Sequence, residues 1–183
     1  LCRTLGCKGY NEFKMALALD IQQGLPERQA GDAIDNVVDE SVQALQDTAK
    51  LLDRAQLEQA TLALHQAQSV QIYGVAASAI LGEYLHYKLL RLGKPAQLFS
   101  DMHRAAMNAT TLSEETLVVA ISSSGSTRDL LHVVKLARKR GVKVLALSNT
   151  PRSPLASLSD MQLVAAKPEG PLSAGALNAL RRE

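Results

Sequence analysis

The sequence predicts an α/β fold, with a parallel sheet of about five strands covered by helices on both faces. Three observations predict it. From residue 69 onward, short apolar runs alternate with longer stretches of helical period. The run Leu117-Val118-Val119-Ala120-Ile121 has no polar interruption, as expected of a strand buried on both faces. Glycine, serine and asparagine punctuate the ends of these runs. Strands joined through helices need right-handed crossovers, which place the helices on both sides of the sheet. Composition agrees: 46% of the 183 residues are hydrophobic but only 3% aromatic, so Leu, Val, Ile and Ala must fill the core. The length suits one medium domain with a smaller appendage.

Taken in order, Leu1-Cys2-Arg3-Thr4-Leu5 reads as the end of a helix stopped by Gly6. Asn11 suits the cap of a second short helix over residues 12–23, ended by Gly24 and Pro26. We expect the true N-terminus to lie upstream of Leu1 and the helix that starts near Ala174 to continue beyond Glu183. Ile34, Val37, Val38, Val42, Leu45, Ala49 and Leu52 recur at helical spacing. Asp53 then caps a further helix to about Gln66, with Gln56 as a capping-box partner. Strands are expected at 70–75, 96–99, 117–121, 142–147 and 161–164. Helices are expected at 78–92, from Asp101 to about Thr110, and at 127–140, the last facing inward with Leu130, Leu131, Val134 and Ala137.

Composition also narrows function. A formal net charge of +2 is too small for a chain that binds nucleic acid over its whole surface, although Arg3, Lys8 and Lys14 gather near the start. No apolar stretch is long enough to cross a bilayer, and residues 1–20 lack the form of a signal peptide, so no membrane partner is expected. Cys2 and Cys7 have no second ligand pair, which argues against structural zinc and against a disulfide framework. A reducing, cytoplasmic location fits. No metal and no cofactor are expected.

In a parallel α/β sheet, ligands sit beyond the carboxyl ends of the strands. The loops to watch are therefore 74–78, 100–103, 122–127 and 148–153. The sharpest is Ser122-Ser123-Ser124-Gly125-Ser126-Thr127, between the most apolar strand and a helix. A helix N-terminus offers unpaired N–H groups and partial positive charge to a phosphate, hydroxyls add donors, and Gly125 permits close approach or a positive φ. No lysine follows the glycine as in a Walker A loop, and G-x-G-x-x-G is absent. The local chemistry fits a phosphate loop and also an ordinary polar turn with a capped helix. His103 is a candidate ligand contact, although a cap and surface role at a helix start fits it better; Glu83, His86 and Arg104 fit solvated helix faces.

The segment from Ile121 through Ser122, Ser123, Ser124, Gly125, Ser126, Thr127 and Arg128 to Asp129 resembles the phosphosugar-binding loop of SIS (sugar isomerase) domains. Residues 73–78 resemble that family's first loop, and 153–160 the approach to its last strand. Residues 1–14 resemble the end of the helix-turn-helix domain of RpiR-type transcriptional regulators. The resemblance implies a three-layer α-β-α SIS domain over 68–183, a helical linker over 25–67, and the tail of a DNA-binding domain over 1–24. It implies phosphosugar contacts from Ser78, Ser122, Ser123, Ser124 and Thr127; Glu169 is a separate candidate ligand contact, near a neighbouring subunit's pocket. It implies DNA contacts from Arg3 and Lys8 through a complete helix-turn-helix domain, and pairing into a homodimer or higher homo-oligomer. The expected function is a sugar-phosphate-sensing transcriptional regulator rather than an enzyme; the alternative is a sugar-phosphate isomerase. Two positions depart from the family pattern. Ala76 replaces a common glycine, and Ser126 a common glutamate.

Overall fold

The structure, a computed structural model, describes residues 33–166. The chain divides into two units, one of Leu45–Lys167 and one of Leu1–Ala44 with Pro168–Glu183. Of the second unit, only the beginning of helix α1 (Ala33–Leu51) is described, and Val37, Val38 and Val42 stand exposed on it. The expected helices before Pro26, and with them Arg3 and Lys8, lie outside the described residues.

The larger unit is built on five parallel strands: β1 (Ser69–Gly74), β2 (Ala96–Phe99), β3 (Thr116–Ile121), β4 (Lys143–Ser148) and β5 (Met161–Val164), in the order β2-β1-β3-β4-β5. Helices α2 (Arg54–Gln66), α3 (Ala77–Arg91), α4 (Met102–Ala109) and α5 (Arg128–Arg138) cover it, and a short 3-10 turn (Ala156–Leu158) precedes β5. Strand alternation sorts the core into two layers. Val70, Ile72, Leu117, Val119 and Ile121 pack with Ala60 and Ala63 of α2 and Leu89 of α3. Tyr73, Val118 and Ala120 pack on the other face with Ala105 and Ala109 of α4 and Leu130, Val133, Val134 and Ala137 of α5. All six residues of β3 are buried, because β3 is central and covered on both faces.

Three expectations need correction. On α5, Val133 belongs to the buried face as well, and Leu131 packs partly buried against the same core. The helix also spans less than 127–140: Thr127 is its cap, and Gly141 with φ 76 follows its end. Asp53 does cap α2, its Oδ1 accepting from Ala55 N at 2.8 Å and Gln56 N at 3.2 Å, but no capping box forms. The Gln56 Oε1 instead accepts from Gln162 N of β5 at 3.0 Å, while Thr48 Oγ1 accepts from Ala166 N at 3.0 Å. These side chains satisfy N–H groups along the open edge of the sheet, which would otherwise invite pairing with another strand. Lys94 finishes α2, donating from Nζ to the carbonyls of His65 and Ala67.

Candidate functional site

Strand order decides where a ligand belongs. The chain runs from β1 outward to β2, then returns to place β3 on the other side of β1. Neighbouring crossovers therefore leave opposite faces at β1 and β3, and a crevice opens at their carboxyl ends. Gly74 and Ile121 are register partners across that boundary. The loops leaving them, 75–76 into α3 and 122–127 into α5, consequently stand side by side.

The β3–α5 loop is folded on its own hydroxyls. Ser122 is buried, and its Oγ accepts from Gly125 N at 3.1 Å while lying 3.1 Å from Thr127 Oγ1. Whichever hydroxyl donates in that pair, one hydroxyl hydrogen remains for an outside acceptor. Ser124 Oγ accepts from Ser126 N at 3.2 Å, and Ser126 Oγ donates to Ser124 O at 3.1 Å. Among the described residues, the N–H groups of Ser123, Ser124 and Thr127 have no protein acceptor. Gly125 takes φ 60, as a glycine is needed to do.

The β4–β5 loop braces this arrangement from behind. Asn149 N and Thr150 Oγ1 donate to Ser123 O at 3.0 and 3.2 Å, and Leu155 N donates to Gly125 O at 3.0 Å. A Cβ on Gly125 would overlap the buried Ser153 side chain. The loop's carbonyls are thus tied back, which leaves donors in excess on its open side. Sequence reading singled out the serines and the 148–153 loop but not this bracing. Its signal was present in the small residue Ser153, which is the size a glycine-to-loop contact admits.

The helix starts sort into two kinds. Asp53 caps α2, and Asp101 caps α4, accepting from His103 N at 2.8 Å and Arg104 N at 3.3 Å. At α5 the cap residue is Thr127, a good capping type in suitable backbone geometry, yet its side chain makes no cap bond. Its hydroxyl is turned to Ser122 instead. At α3 the cap residue is Ala76, which has no capping atom. The two helix N-termini at the crevice are therefore both without a side-chain cap. Such an end presents N–H donors and partial positive charge to an anion.

The other sequence candidates lie at different places on the domain. Ser78 is half-buried in the first turn of α3, and its N–H donates to Val75 O at 3.1 Å. Ser123 and Ser124 are exposed. His103 is exposed on α4, beyond β2 and one strand removed from the crevice, where its backbone serves the Asp101 cap. Glu83 and Arg104 are exposed, and His86 Nε2 lies 2.9 Å from Ala96 O, a contact between α3 and β2. Glu169 lies outside the described residues. Among the described residues, no cluster of three His, Cys, Asp or Glu side chains could hold a metal. Burial pushes the Tyr73 phenol well above its ordinary value, and the phenol donates to Asn108 Oδ1 at 2.8 Å. A shallow depression lies on the bracing loop itself, over Pro151, Arg152, Ser153 and Pro154.

A model of the SIS domain matches residues 63–180 of the chain. The chain belongs to the SIS-domain family. The chain is similar to the Vibrio vulnificus NanR protein, solved in complex with ManNAc-6P: 49% identity, TM-score 0.78, covering 96% of this chain and 64% of that one. The chain is 30% identical over 174 residues to the uncharacterized HTH-type transcriptional regulator YbbH of Bacillus subtilis, covering 91% of this chain and 62% of that protein. It is 33% identical over 168 residues to the bifunctional protein glk of Burkholderia thailandensis, covering 86% of this chain and 26% of that protein. The chain thus spans less than two thirds of the length of each. Among the described residues, no helix is long and apolar enough to cross a membrane.

Proposed function

We propose that this SIS domain is the sensor of a DNA-binding transcriptional regulator, and that its effector is a sugar phosphate of the ManNAc-6P type. One observation carries the reading: two helix N-termini without side-chain caps meet at the topological switch point, beside a loop rich in hydroxyl donors. The phosphate takes the N–H groups and hydroxyls of residues 122–127, with Ser122, Ser123, Ser124 and Thr127 as its contacts. Ser78 meets the sugar from the neighbouring loop. The 49% identity to NanR, itself solved with ManNAc-6P, supports this class of effector. The names of the HTH-type relatives support a DNA partner, reached through a helix-turn-helix domain to which residues 1–24 belong, with Arg3 and Lys8 on the DNA side.

The regulator reading is favoured over an isomerase. Moving a proton between sugar carbons needs a base within hydrogen-bond reach. Neither residues 74–78 nor 122–127 include Asp, Glu or His. The protein acts in the cytoplasm as a homodimer or higher homo-oligomer. The apolar stripe on α1 supports pairing, since Val38, Val42 and Leu45 are exposed, Leu45 at 72%. A species that sediments as a monomer removes the pairing claim.

The test is thermal denaturation with ManNAc-6P. Ligand bound only by the folded state raises stability by mass action, by about 2.7 kcal/mol at a hundred times Kd. The wild-type chain is expected to shift upward. Ser122→Ala with Thr127→Ala is expected to keep its fold and lose the shift. A double variant with an unchanged shift places the phosphate elsewhere.

A further inference from the structure

The two loops at the crevice both require a backbone conformation that L-residues avoid, yet only one of them has a glycine there. In the β3–α5 loop the residue is Gly125, at φ 60. In the β1–α3 loop it is Ala76, at φ 52 and ψ −124, the one non-glycine residue at positive φ among those described. Val75, Ala76, Ala77 and Ser78 form a tight turn closed by Ser78 N donating to Val75 O at 3.1 Å. Its backbone angles at Ala76 are those of the second residue of a type II′ turn, a place glycine ordinarily fills.

The flanks impose this shape. A Cβ on Gly74 would stand 2.9 Å from Ser78 O, so the start of α3 lies directly on the end of β1. Ala79 N donates to Ala76 O at 2.9 Å, and Ala79 and Leu89 anchor the helix among buried neighbours. Nothing equivalent to the bracing of Ser123 and Gly125 supports the turn itself. Val75, Ala76 and Ala77 are exposed, and the turn's hydrogen bonds stay within residues 75–80.

We infer that Ala76 is a positioning residue that sets the site's affinity, by making the ligand-competent form of the β1–α3 turn a strained one that opens in the free protein. This rests on the sugar-phosphate reading above. In the closed form, the Val75–Ser78 bond holds the Ser78 hydroxyl and the first N–H groups of α3 at the crevice. Moving Ala76 to negative φ relieves the strain, breaks that bond and unwinds the helix start. The ligand engages the closed form alone, so its apparent Kd is the intrinsic value divided by the closed fraction.

Ala76→Gly is the decisive substitution, because glycine holds the same angles without strain. It is expected to tighten binding of ManNAc-6P by up to about tenfold, the most that strain of this kind supplies. Ala76→Val, branched at Cβ, is expected to weaken binding while core amides keep their protection from hydrogen exchange. A second readout needs no ligand: the Ser78 amide is expected to exchange several-fold more slowly in Ala76→Gly than in wild type, relative to the β3 amides. A variant with a raised melting temperature, but unchanged Kd and unchanged relative Ser78 exchange, gives Ala76 a merely structural role and overturns the inference. If neither protein binds ManNAc-6P, that effector assignment fails. Ser78 exchange then decides the turn alone, slowed exchange supporting the inference and equal exchange overturning it.

Discussion

Helices α2 and α4 begin on an aspartate that accepts two backbone N–H groups, whereas α3 and α5 begin without a side-chain cap. The first pair start away from the β1–β3 boundary, and the second pair start at it. A carboxylate cap completes a helix and neutralises its positive end, which stabilises the fold but closes the end to any other anion. Omitting the cap gives up that stability and reserves the donors for a ligand. Thr127 makes the point within one residue: it is a capping side chain, in capping geometry, spent on Ser122 instead.

The comparison breaks most completely when the loop carrying the open α5 end cannot keep its shape. Gly125→Ala combines a positive φ with overlap on Ser153. It is expected to cost about 3 kcal/mol, the sum of typical strain and overpacking penalties, and to abolish the ManNAc-6P shift. Chemical denaturation measures the first effect, and a variant as stable as wild type would show that Ser153 yields easily. Next comes converting an open helix start into a closed one. Thr127→Asp supplies α5 with the cap that α4 already has. Like charges forced together cost several kcal/mol, so ManNAc-6P affinity should fall by at least about a hundredfold. Stability should hold or rise slightly. Calorimetry checks the affinity, and a bound Thr127→Asp protein would move the phosphate away from α5. The smallest effects belong to the helices already closed. Asp53→Ala and Asp101→Ala should each lower stability by about 1 kcal/mol and leave ManNAc-6P affinity within twofold of wild type. A large loss of affinity in Asp101→Ala alone would bring α4 into the site.

Much of the fold was legible because it is written in local pattern. Strands β2 and β5 appear where apolar runs and turn residues placed them, and Asp53 and Asp101 cap as their spacing suggested. Expectations failed where a side chain had a more distant claim on it. Gln56 has the position of a capping-box partner but satisfies the edge strand β5. For the site, the serine run and Gly125 were conspicuous in sequence. The absence of a cap at Thr127 was not, since the same residue in the same place ordinarily caps.

The sequence by itself determined which segments are strands and helices, and that a hydroxyl-rich loop with a central glycine joins the most buried strand to a helix. Those properties follow from hydrophobic period and from contacts between near neighbours in the chain. Only the tertiary structure decided that β3 returns beside β1, and so that the loops at Ala76 and Gly125 share one crevice. It alone decided that Ser153 and Asn149 brace the loop, and that Ala76 keeps a glycine's angles rather than reshaping its turn. The reason is that strand order and loop bracing join residues far apart in sequence. Their geometry is set by how two sheet faces are covered, which no local pattern encodes.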